Sequence, residues 1–123
     1  MDETREYLLE NLVYSQALKK FAYVGCVGCV VANNTIVDPH NWILRILQET
    51  TSHDGYTFLE AQGGRFINNL VYFDRSALST WVNIGANTQP DTFVWANNLW
   101  YAHDDPGQSQ PSLPGSVSDD IYG

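Results

Sequence analysis

A chain of 123 residues, 44% of them apolar, is long enough for one domain with a core and too apolar for a disordered segment. Six basic residues against fourteen acidic ones leave a net charge of −8. That balance repels phosphate backbones and anionic lipid, so it argues against nucleic acid or membrane as a partner and leaves neutral, cationic or metal-bridged ones.

The amino terminus, Met1-Asp2-Glu3-Thr4-Arg5, is acidic where a secretory signal is basic, and no apolar run follows directly. No export address is expected from it. The next segment, Leu8-Leu9-Glu10-Asn11-Leu12-Val13-Tyr14, admits two readings. One is a pair of short strands about a turn at Asn11. The other is a helical cap with Asp2 or Thr4 as N-cap and Leu8, Leu9, Leu12, Val13, Gln16 and Ala17 on one face.

Phe21 to Ala32 is the longest apolar run, too short to cross a bilayer and interrupted by two glycines. It opens with the strand-like Phe21-Ala22-Tyr23-Val24-Gly25. Cys26 and Cys29 follow at CxxC spacing, half of what a structural zinc site requires, and His40, His53 and His103 are too scattered to complete a ligand set. In so apolar a context the pair reads as buried structural thiols, with no metal.

Val31-Ala32-Asn33-Asn34-Thr35-Ile36-Val37 comes next and then returns twice, as Phe66-Ile67-Asn68-Asn69-Leu70-Val71-Tyr72 and as Trp95-Ala96-Asn97-Asn98-Leu99-Trp100-Tyr101. With the weaker first copy, the second polar position is Asn11, Asn34, Asn69 and Asn98, at separations of 23, 35 and 29 residues. Asparagine tolerates the left-handed backbone that bends one strand into the next, and its amide can bond the same amide one coil away. The expectation is an asparagine ladder.

Between the copies lie two more strand-like segments, Ile43-Leu44-Arg45-Ile46-Leu47 and Trp81-Val82-Asn83-Ile84-Gly85, which match Phe21 to Gly25. With Ala22/Val24, Leu44/Ile46 and Val82/Ile84 inward, period-two alternation sends Tyr23, Arg45 and Asn83 outward in one column, and Phe21, Ile43 and Trp81 form its neighbour. Thr50 to Gly64 carries turn residues and reads as a protruding loop. The Pro-, Gly-, Ser- and Asp-rich stretch 104–123 reads as an extended or disordered tail after a coil domain spanning 1–103.

The combined pattern, over residues 6 to 102, resembles the right-handed parallel β-helix proteins of the pectate-lyase-like superfold. The implied fold is all-β, a solenoid of three to four coils. The superfold hosts lyases, hydrolases, esterases, epimerases and noncatalytic adhesins, so the resemblance carries architecture further than activity. Both termini are abrupt for such a stack, and the chain reads as a fragment of a longer family pattern.

Enzymes of this superfold work in a groove outside one sheet, which directs attention to the outward column. Tyr23, Arg45, Trp81 and Asn83 are the candidate glycan-binding residues, the aromatics as platforms for sugar rings. The resemblance also draws attention to Arg45, because lyases of the superfold use an outward Arg or Lys as base, but no motif carries that role to this residue, and as a solvated strand residue it would pair with Glu49 or Asp74. Asp38, Glu49, Asp54, Glu60 and Asp74 are oxygen donors for calcium should the fold gather them, and a solvated acidic surface otherwise. Asp104 and Asp105 are assigned to the loose tail. Trp95 and Trp100 replace aliphatic repeat residues and are expected in the core. The functional expectation is a carbohydrate-binding module without demonstrable catalysis. The alternatives are a polysaccharide lyase or hydrolase and a self-associating stack, with a homodimer through the coil ends as the expected assembly.

Overall fold

The computed structural model describes residues 7–9, 12–14 and 21–123, and side chains from residue 22 onward. The described strands form three parallel sheets, two of five strands and one of three, and a small hairpin. The first holds β1 (Tyr7–Leu9), β4 (Val30–Ala32), β9 (Arg65–Ile67), β12 (Val94–Ala96) and β14 (Ser116–Ser118). The second holds β2 (Leu12–Tyr14), β5 (Thr35–Val37), β10 (Leu70–Phe73), β13 (Leu99–Ala102) and β15 (Ile121–Tyr122). The third has only β3 (Phe21–Val24), β6 (Leu44–Leu47) and β11 (Val82–Ile84). Each strand pairs with its counterpart one coil along, so the chain winds as a parallel β-helix.

The turn from first to second sheet is two residues long in every described coil. Its first member, Asn33, Asn68 or Asn97, takes the left-handed backbone, with φ of 60°, 55° and 57°. Its second member points inward as the ladder: Asn34, Asn69 and Asn98 are buried. Asn34 donates its backbone N–H to Asn69 Oδ1 at 2.9 Å, and Asn69 does the same to Asn98 Oδ1 at 2.9 Å. The side-chain amides follow at 3.1 and 3.3 Å. Asn11 lies outside the described residues, but the strands on either side of it pair with β4 and β5 in the repeat's own register. That segment is therefore strand where the helical cap would have placed a helix.

The stretch 104–123 is not a loose tail. Ser116-Val117-Ser118-Asp119-Asp120-Ile121-Tyr122 is a further copy of the repeat with the asparagines replaced by aspartates, and it pairs with β12 and β13. Asp119 has φ 57°, and Asp120 takes the ladder position. Its Oδ1 accepts from Asn98 N at 2.8 Å and its Oδ2 from the Trp100 indole at 2.8 Å. The Pro-rich connection before this coil also packs inward: Ser109 and Pro111 are buried, Leu113 lies against the core, and Pro114 O accepts from Trp95 Nε1. Low hydrophobicity concealed it, since this rung is held by the hydrogen bonds of Asp120 more than by apolar side chains.

Inside, Phe66, Trp95 and Trp100 stack with ring centroids 5.3 and 5.7 Å apart, both tryptophans fully buried. Cys26 and Cys29 are buried as expected, but joined as a disulfide with Cα atoms 5.7 Å apart, where free thiols were expected. Thr50 to Gly64 does protrude, as the exposed antiparallel hairpin of β7 (Ser52–His53) and β8 (Tyr56–Thr57), and rejoins the stack at Ala61 and Gln62.

Candidate functional site

Arg45 and Asn83 are directly paired on the outward side of the third sheet, and Arg45 Nε donates to Asn83 Oδ1 at 2.9 Å. Arg45 also lies over the Trp42 ring, 5.1 Å from its centroid. Its expected partners Glu49 and Asp74 are not the ones it uses.

Tyr23 is not part of that column. The register pairs Ala22 with Arg45 and Tyr23 with Ile46, one residue away from the alignment read from sequence. A one-residue slip in a strand exchanges its two faces. Tyr23 is accordingly 1% exposed and Val24 43%, the reverse of the expectation. The interior wins because it offers the ring more: Tyr23 meets Phe93 edge-on at 4.9 Å, and its hydroxyl donates to Arg65 O at 2.6 Å. Burial pushes its pKa far above the ordinary phenol value, despite an opposing backbone hydrogen bond at Val31. Ile43, assigned to the neighbouring outward column, is buried as well.

Trp81 is no free platform either. It is half-buried against the core, meets Phe73 edge-on at 5.5 Å, and carries the Arg75 guanidinium over its ring at 4.5 Å. Of the four predicted residues, the structure brings together only Arg45 and Asn83.

The acidic residues proposed for calcium are dispersed among separate partners. Asp38 contacts His103, Asp54 contacts His53 at 3.1 Å, Glu60 accepts from Gln89, and Asp74 caps the turn at Ser76. No group of three or more His, Cys, Asp or Glu side chains suited to a metal occurs among the described residues. Asp104, assigned to the tail, accepts from the backbone N–H of Arg75 at 2.7 Å and of Ser76 at 3.2 Å. The Arg75 bond above all holds its carboxyl below the ordinary range.

The second sheet offers a better surface. With Ile36, Val71 and Trp100 inward, alternation puts Thr35, Leu70 and Leu99 in one outward column and Val37, Tyr72 and Tyr101 in another. Tyr72 is 41% exposed and stacks on Tyr101 with centroids 5.8 Å apart and planes 14° off parallel. The His103 ring stacks on Tyr72 at 4.7 Å, and its Nε2 lies 2.6 Å from Asp38 Oδ1, which spans from the fourth coil back to the second.

Beside these rings, along the asparagine turns, runs an open groove of about 640 Å³ lined by Asn33, Thr35, Asn68, Leu70, Asn97 and Leu99, with ladder amides at its floor. Sequence reasoning passed over Tyr72 and Tyr101 because they close the repeat copies and were counted only as repeat positions. Their signal was present: three residues after the buried turn asparagine, the same alternation that buries Val71 and Trp100 turns the next residue outward. No family model, curated protein or solved structure matches the chain; what is established is its architecture, a parallel β-helix with a buried asparagine ladder.

Proposed function

We propose that the chain is a carbohydrate-binding β-helix module that holds a glycan on the outward face of the second sheet. The observation that carries this is the near-parallel stack of Tyr72, Tyr101 and His103 beside the amide-lined groove. The solvent-exposed part of this ring stack offers apolar surface to a pyranose, and Asn33, Asn68 and Asn97 offer donors and acceptors to hydroxyls, at rungs about 4.8 Å apart. The repeat's likeness to the pectate-lyase-like superfold supports the same reading. Affinity electrophoresis through gels containing neutral and charged polysaccharides tests it. The Tyr72→Ala/Tyr101→Ala double variant should lose retardation, about tenfold in affinity. Arg45→Ala/Asn83→Ala should keep it. The opposite pattern would return the site to the third sheet, and no retardation of the unmodified chain by any polysaccharide would end the reading.

A lyase or hydrolase is favoured by one observation, the 2.6 Å contact between His103 Nε2 and Asp38 at the border of this face, since a carboxylate-oriented imidazole is suited to proton transfer. Release of reducing ends or unsaturated products, abolished in His103→Ala, would establish it. The end-to-end dimer draws support from Ile84, Val117 and Tyr122, which have inward parity yet are exposed on the last rungs of their sheets. Sedimentation at micromolar concentration separates dimer from monomer.

A further inference from the structure

The residues that enter the left-handed region at the first-to-second-sheet turn form one outward column: Asn33, Asn68, Asn97 and Asp119. Each sits one rung beyond the last, because Asn33 N donates to Ile67 O, Asn68 N to Ala96 O and Asn97 N to Ser118 O. All four are exposed. Three of them line the groove with neutral amides, and the fourth presents a carboxylate one rung beyond that lining. Across the aromatic rings, the other border of the face carries the Asp38 carboxylate with His103.

Positive charge is absent from the groove lining. The described residues include three Lys or Arg side chains, Arg45, Arg65 and Arg75. Arg45 and Arg75 are held over Trp42 and Trp81, and Arg65 begins β9 on the first sheet. A uronate polymer laid in this groove would meet no cation in its lining and the Asp119 and Asp38 carboxylates at its borders, on a protein whose net charge is −8. A neutral glycan would meet no such penalty. A glycan carrying ammonium groups would gain an ion pair at the Asp119 end while its hydroxyls used the amides and its ring faces used the tyrosines.

We infer that the groove selects amino sugars, binding a glucosamine-type oligosaccharide in preference to its N-acetylated or uronate counterparts, with Asp119 as the residue that recognises the ammonium. This rests on the glycan-binding reading above and adds its charge selectivity. An exposed ion pair contributes modestly, so the expected preference is a few-fold rather than absolute.

Calorimetric titration of the full chain with hexamers of glucosamine, N-acetylglucosamine and galacturonate tests this. The glucosamine hexamer should bind about fivefold tighter than the N-acetyl form, and the galacturonate hexamer most weakly of the three. Asp119→Asn installs the residue found at the same backbone angle in the other rungs, so the fold should persist. It should bring the glucosamine to N-acetylglucosamine ratio to about one without weakening the N-acetyl form. Asp91→Asn, which removes an exposed carboxylate from the turn Pro90–Thr92, should leave the ratio unchanged. An unaltered ratio in Asp119→Asn, or an equal change in Asp91→Asn, overturns the assignment to Asp119. Binding of all three hexamers with equal affinity overturns the selectivity while leaving glycan binding intact, and binding of none ends both.

Discussion

The turn between the first and second sheets and the third side of the coil obey different rules. The turn is two residues in every described coil, so strand, turn and strand repeat without room for slippage, and buried amides lock each copy to the next. The third side has three strands where the other sheets have five, and its connections range from the Ser52–Thr57 hairpin to the Pro-rich cover. A fixed turn length transmits register from coil to coil. Variable connections let each coil reset it. The proposed binding face also falls on one side of this line, since the aromatic stack and the groove grow from the regular side, where repeated rungs align side chains in columns.

Asparagine itself breaks the comparison most sharply. Asn69→Leu removes the side-chain oxygen that accepts from Asn34 N and Nδ2 and the amide that donates to Val31 O, at a cost of about 3 kcal/mol. Asn83→Leu, on the third side, gives up one half-buried bond to Arg45, and its cost should be within about 0.5 kcal/mol. Chemical denaturation of both variants decides the matter, and equal losses would mean that the ladder is not what locks the coils.

Gly64→Ala probes where the two sides meet. A Cβ there would overlap the Phe93 ring, and a Cβ at Gly115 would overlap the Phe93 backbone carbonyl, so both faces of this residue are approached by glycines. The expected loss is about 2 kcal/mol from overpacking. A smaller loss in thermal melts would reveal slack in the third side.

Tyr23→Phe should cost less than either of the buried-site changes at Asn69 and Gly64 near neutral pH, about 1 kcal/mol from the lost bond to Arg65 O. Its pH dependence sharpens the assignment. The folded phenol titrates above its unfolded value, so its stability contribution is complete below about pH 10 and is lost as pH rises beyond that. The native chain should therefore weaken in alkali more steeply than Tyr23→Phe. Parallel alkaline curves would place Tyr23 at the surface after all.

The ladder was legible because its pattern is short-range: an Asn pair flanked by apolar residues specifies both the bend and the buried amide. Arg45 beside Asn83 was legible by the same periodicity. Tyr23 was not, since Phe21 to Val24 alternates equally well in either phase and only Phe93, seventy residues later, offers its ring a place. The last rung was missed because Asp119-Asp120 does not look like Asn-Asn until Asp120 is seen accepting from Asn98 and Trp100. Tyr72 and Tyr101 were named as repeat positions, yet their meaning as a platform depends on His103 folding back across two rungs to Asp38.

By itself, then, the sequence determined that this chain coils, where it bends and which amides stack, because those features depend on residues a few positions apart and recur in each copy. Only the tertiary structure decided which face of the third sheet is inside, what covers its open side and which outward columns converge into a groove. Those outcomes depend on contacts between residues tens of positions apart, where side-chain volume and the length of the connecting loops select among registers that alternation alone leaves equivalent.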